Sequence, residues 1–145
     1  MNLLRLILAS FGGFAAYFVL GGLIFSLLPS LKSEFLKYPN IYRDQQGQMS
    51  HMPLGMAAMF LSMLVLAVLY AQMYQGGASL GSGLMEGARF GALIGLFAIG
   101  SFVLHNYVNL QIGLALTVQS AVAYFVEWTV AGIAIGLIYR PTLAH

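Results

Sequence analysis

Apolar residues fill four long runs along the chain, at about 3–28, 53–74, 84–106 and 111–139, and polar residues gather in the stretches between them. A helix rises about 1.5 Å per residue, so ~20 consecutive apolar residues cross a hydrocarbon core. Each run is long enough. The pattern therefore predicts an all-α fold, a four-helix transmembrane bundle with short loops, and a single integral membrane domain over residues 1–145. The first apolar run extends well past the roughly 7–15 residues of a signal-peptide core, which reads as a retained first transmembrane helix.

The breaks between runs have their own grammar. Pro29 closes the first helix, and SLKSEFLKYPNIYRDQQGQMSH makes up most of a polar interfacial loop over 30–52. Within it Leu31, Phe35 and Leu36 can lay a short amphipathic turn on the membrane surface, with Tyr38 and Tyr42 in an aromatic belt. Ser50 reads as the N-cap of the second helix and Pro53 as a first-turn proline. QGGASLGSG separates the second and third helices, HNYVNLQ the third and fourth, and Tyr139-Arg140-Pro141 ends the last one. The short connection makes helices three and four an antiparallel hairpin.

Composition strengthens the membrane reading, with 60% hydrophobic and only 7% charged residues. Six Lys and Arg against four Asp and Glu, with no basic run, leave no nucleic-acid footprint. The absence of cysteine excludes disulfides, thiolate metal sites and thiol catalysis. Positive charge divides evenly between the two membrane faces: Arg5, Arg89 and Arg140 on one, Lys32, Lys37 and Arg43 on the other. The uncharged connection between helices three and four tips the orientation toward cytoplasmic termini.

Glycines form stripes. Gly87, Gly91 and Gly95 recur every four residues on the third helix, and Gly132 and Gly136 on the fourth. Such stripes let helices approach closely, either within the chain or against another subunit. Met52, Met56, Met59 and Met63 alternate spacings of four and three, continuing from Met49 and close to His51. That spacing suits a packing seam, and the thioethers are also soft ligands for Cu(I). Glu86 and Arg89 stand three residues apart, a spacing that permits an ion pair.

Glu127, in AYFVEWTVAG, is the sharpest anomaly. It lies about 20 Å from either end of its helix, beyond snorkelling reach. A carboxyl there turns from lipid and either pairs or stays protonated. Gln119, Ala123, Glu127 and Ala131 form a small and polar stripe on which a neighbour can dock. At matching depth stand Tyr17, Ser62 and Ser101, the candidate hydroxyl partners, either in a structural polar clamp or in a proton or cation relay, a ligand anchor or a contact to another subunit. Arg89 and His105 are placed too far from the midplane. His105, Asn106 and Asn109, with Gln111, gather at the membrane edge as a candidate headgroup or small-ligand cradle.

The order FVLGGLIFSLLP, polar loop, apolar helix, GGASLGSGLMEGARFGALIGLF and EWTVAGIAIGLIYRP resembles the small four-helix bacterial inner-membrane proteins grouped as domains of unknown function. That resemblance covers nearly the full length, rests on glycine placement and topology, and implies a bacterial cytoplasmic membrane. There is no HExxH, no phosphate loop, no paired carboxylates and no nucleophile–base pair, so no enzyme and no cofactor is expected. The first functional expectation is a structural or accessory subunit, as a homo-oligomer or with other membrane subunits in a lipid bilayer. The alternative is a small transporter or binder of an ion or amphipathic ligand using Glu127.

Overall fold

The computed structural model describes residues 2–73 and 83–139. Five helices follow in order: α1 Leu3–Leu27, α2 Pro29–Leu36, α3 Gln45–Met73, α4 Gly83–Asn109 and α5 Leu114–Ile138, with no strand among the described residues. All but α2 are long and apolar enough to cross a membrane, as a multi-pass membrane protein requires. The bundle is all-α as the apolar runs predict; the Arg140-Pro141 stop and most of the QGGASLGSG connection lie outside the described residues.

The polar stretch departs from its expected form. Residues 30–52 are not one loop: Pro29, with no N–H to satisfy, opens α2, and α3 begins at Gln45, eight residues before Pro53. The cap of α3 is Asp44, whose carboxylate accepts the Gly47 N–H at 2.8 Å, while its carbonyl accepts the Gln48 N–H at 2.9 Å. Ser50 therefore lies inside the helix, where its hydroxyl donates to the Gly47 carbonyl, and Pro53 is an interior proline that leaves the Met49 carbonyl without its usual donor. At the other hairpin, α4 runs on to Asn109 and α5 starts only at Leu114. Within α4, Ile99–Leu104 is π-helical.

Helix α5 sits in the middle, with α4 on one side, α1 on the other, and α3 on the outer side of α1. The contact with α4 is backbone against backbone. A Cβ built on Gly91 would stand 2.5 Å from the Trp128 carbonyl oxygen, and one on Gly87 would stand 2.5 Å from that of Gly132. Gly95 meets Phe125, and Gly136 meets Gly83 and Gly87, so the two helices run antiparallel in a fixed register. On the opposite side, Gly13 of α1 receives Ile135 and Met63, and Gly12 meets Ile138.

All four long helices meet at only one end of the bundle. There Leu6, Ala9, Met63, Ala67, Tyr70, Ala71, Phe90, Ala131, Ile135 and Tyr139 form a continuous core. The Tyr70 ring stands edge-on to Phe90 at 5.4 Å and to Tyr139 at 6.5 Å, joining α3, α4 and α5. Toward its N-terminus α3 leaves this core, and its residues from Gln48 to Ala58 are exposed. The opposite end is held by α2 instead. Its Leu31 is buried, Phe35 packs on Phe25 and Tyr42, and the Tyr38 hydroxyl accepts the Gly113 N–H at 2.7 Å.

Candidate functional site around Glu127

Glu127 lies thirteen residues into α5, about 20 Å from its start, and is only 8% exposed. It faces α1, and the residue opposite is Gly21, where a Cβ would come within 3.1 Å of the Glu127 Oε1. Glycine there leaves room for the carboxyl. One turn back on α1, the Tyr17 hydroxyl is the polar group that meets the carboxyl, and the Tyr17 ring packs on Trp128 with centroids 5.0 Å apart. Gly13, Tyr17 and Gly21 thus recur at four-residue spacing along the seam with α5, whose own stripe of Ala123, Glu127 and Ala131 is buried.

A further phenol extends the site. Tyr124 stands one turn before Glu127 on α5, half-buried, within electrostatic reach of both Glu127 and Tyr42. Tyr42 sits in the connection between α2 and α3, where burial and nearby Tyr38 push its phenol above the usual tyrosine range. Phenols therefore stand between the α2 end of the molecule and the level of the buried carboxyl. Two more buried polar atoms belong to α5: Trp128 Nε1 and Gln119 Oε1, neither with a hydrogen-bond partner among the described residues.

Of the three hydroxyls placed by depth, the structure brings only Tyr17 to Glu127. Ser62 is exposed and donates to the Ala58 carbonyl at 3.0 Å on its own helix, and Ser101 is exposed within the π-helical turn. Depth was the right criterion for reach, but the helical face decides contact. Arg89 shows the same from the other direction. The α4–α5 register sets it within about 5 Å of the Glu127 level, closer than its distance from the helix end implies, yet it is exposed on another face. It forms no ion pair with Glu86, which is buried at 5% exposure.

His105, Asn106 and Asn109 lie on the last exposed turns of α4, helical rather than gathered in a loop, and the Asn109 amide donates to the His105 carbonyl at 2.7 Å. The methionines diverge with α3: Met63 is fully buried, Met59 half-buried, and Met52 and Met56 exposed. They form no common face toward a ligand. Among the described residues there is no group of three or more His, Cys, Asp or Glu placed to hold a metal. An ion pair does form on the surface, Lys37 with Glu34, where the carboxylate hydrogen bond raises the lysine above its ordinary range.

Sequence reasoning missed Gly21 as the residue facing the carboxyl, Tyr124 and Trp128 as its neighbours, and Glu86 as a second buried acid. The spacing Gly13, Tyr17, Gly21 was the available signal for the first of these. The chain matches no family model, no curated protein and no solved structure, so its site rests on its own residues.

Proposed function

We propose that this chain is a small multi-pass membrane protein that binds and moves a monovalent cation, the proton included, through the intramembrane carboxyl of Glu127. The observation that carries this reading is a mid-helix carboxyl, 8% exposed, met by a phenol and a glycine and by no cationic side chain among the described residues. A carboxyl at that depth costs about 2.5–3.5 kcal/mol to insert, and neutralisation by a mobile cation is one way to offset it. Tyr42 and Tyr124 supply polar groups on the way in from the α2 end, where α3 has left the core. The test is cation and proton flux in proteoliposomes carrying the purified chain or Glu127→Gln. The reading expects flux from the first and none above empty vesicles from the second; equal flux from both sinks it.

A second reading, a structural or accessory subunit, is favoured by a different observation. The first half of α3 exposes Met49, Met52, Leu54 and Met56, with no helix among the described residues covering them. Purification from native membrane with stoichiometric companions supports that role, and a chain that purifies alone counts against it. The setting that fits both readings is a bacterial inner membrane with cytoplasmic termini, supported by the resemblance of the helix and glycine order and by the uncharged α4–α5 connection.

A further inference from the structure

Only four acidic residues exist in the chain, and two of them serve the surface: Asp44 caps α3 and Glu34 pairs with Lys37. The other two, Glu86 and Glu127, are buried. Glu86 stands in the first turn of α4, where the helix dipole favours a carboxylate, yet its Oε1 has no hydrogen-bond partner among the described residues. It lies one turn before Phe90, and Phe90 packs on Tyr70, so this acid belongs to the end of the bundle where all four long helices meet.

The α4–α5 register locates the two acids relative to each other. Gly87 faces Gly132 and Gly91 faces Trp128, so Glu86 is level with residue 133, six residues from Glu127, or about 9 Å along the axis. Trp128 is on α5 beside Glu127, at the Glu127 end of this interval, and its buried Nε1–H is the second orphaned polar atom. A donor without an acceptor and an acceptor without a donor thus occur along one stretch of core. A buried water satisfies such a pair, because it accepts from an indole N–H and donates to a carboxylate.

We propose that Glu86 is a second protonation station, and that a proton passes between Glu127 and Glu86 over bridging water held by Trp128 Nε1–H and Glu86 Oε1. This rests on the reading of Glu127 as a cation site and specifies its ion as the proton. Three waters at a hydrogen-bond spacing of about 2.8 Å cover the axial part of the interval, and the step across from α5 to α4 adds to their number. In the step, the Glu127 carboxylic acid gives its proton to the first water, the last water gives one to the Glu86 carboxylate, and the O–H bonds between shift by one. Glu127 becomes a carboxylate and Glu86 a carboxylic acid, with no electron transferred. The titratable groups around the path are Tyr17 on α1, Tyr124 on α5, Tyr139 just after it and Tyr70 on α3; Arg89 of α4 is exposed on another face, and Arg5 of α1 stands at the Glu86 end. A metal ion does not fit this arrangement as well, because only one carboxyl is present at each level.

The experiment uses the full chain in vesicles with an entrapped pH dye, under a potassium diffusion potential. Proton uptake by the unsubstituted chain falls about tenfold or more in Glu86→Gln and in Glu127→Gln, while Glu34→Gln leaves it unchanged. Glu86→Asp keeps a carboxyl and retains part of the flux, which separates loss of the station from loss of the fold; Trp128 emission in each variant reports that the core is intact. If Glu86→Gln conducts like the unsubstituted chain while Glu127→Gln does not, the second station is refuted and the reading of Glu127 survives. If Glu86→Asp is as inactive as a well-packed Glu86→Gln, the station is also refuted. No proton flux from any form overturns the path outright, and sodium or potassium flux in that case leaves only the broader reading.

Discussion

Replacing Gly91 with alanine tests the helix register on which the whole site depends. The added Cβ would lie 2.5 Å from the Trp128 carbonyl oxygen, 2.7 Å from that of Thr129 and 2.8 Å from the Thr129 Cα. Ordinary contact starts near 3.4 Å, so the helices must separate by close to an ångström, and backbone atoms cannot swing aside as a side-chain tip can. Overpacking of this kind costs about 1–3 kcal/mol, whereas alanine in place of an unobstructed helical glycine gains up to ~1 kcal/mol. Gly22→Ala and Gly55→Ala are the matched controls, because a Cβ at either position meets nothing within 4 Å. Unfolding in mixed micelles, followed through the single tryptophan, Trp128, reads the contact from inside. Gly91→Ala should shift the unfolding equilibrium by about 5- to 150-fold toward the unfolded form relative to those controls. Equal stability of Gly91→Ala and Gly22→Ala would show that α4 does not dock on α5 through this glycine, and the levels assigned to Glu86 and Arg89 would fall with it.

Three further outcomes probe the α2 end. Tyr38→Phe removes the acceptor of the Gly113 N–H and should cost about 0.5–1.5 kcal/mol, with faster amide exchange at Gly113; unchanged exchange would place the tether elsewhere. Asp44→Ala should cost about 0.5–2 kcal/mol and fray residues 45–48 in amide exchange, leaving the later turns of α3 protected. For Tyr42, burial favours the neutral phenol in the folded state, so its contribution to stability is complete below the unfolded pKa of about 10 and is lost as pH rises through the higher folded value. The phenolate absorbance of the native chain minus that of Tyr42→Phe should accordingly appear at higher pH than free tyrosine; a difference curve at or below the free value refutes the burial.

The spans were legible because lipid demands an unbroken apolar run, a property of the sequence itself. The start of α3 was not, because QQGQ is polar and looks like loop, while the side chain that organises it, Asp44, precedes it by one residue and acts only once the Gly47 N–H turns toward it. The glycine stripe predicted a close crossing but not its partner, and Gly83 through Gly95 turn out to spend it on α5. Glu127 was legible as an anomaly, and depth selected Tyr17 with Ser62 and Ser101 as equals. What separated them was rotation about each helix axis. Ser62 and Ser101 turn outward with α3 and the π-helical turn, and no count of residues from a helix end encodes that rotation.

The position of the carboxyl follows from the same packing. Helix α5 is flanked closely on both sides, by α4 through glycine backbone and by α1 through Gly12, Gly13 and Gly21. A helix so enclosed can withdraw a mid-membrane carboxyl from lipid without an arginine or lysine to neutralise it, because small residues leave room for its oxygens and bring a phenol from α1 alongside. The core that closes one end of the bundle includes Met63, Tyr70 and Ile135, all fully buried, and α3 has left the bundle before it reaches the other end. The two sides of Glu127 along the bundle therefore differ: half-buried Tyr124 stands toward the α2 end, and packed side chains extend toward Glu86 at the opposite one. If Glu127 moves an ion across the membrane, the packed half must supply the second route, and a buried, unpartnered Glu86 oxygen is the feature of that half suited to receive it.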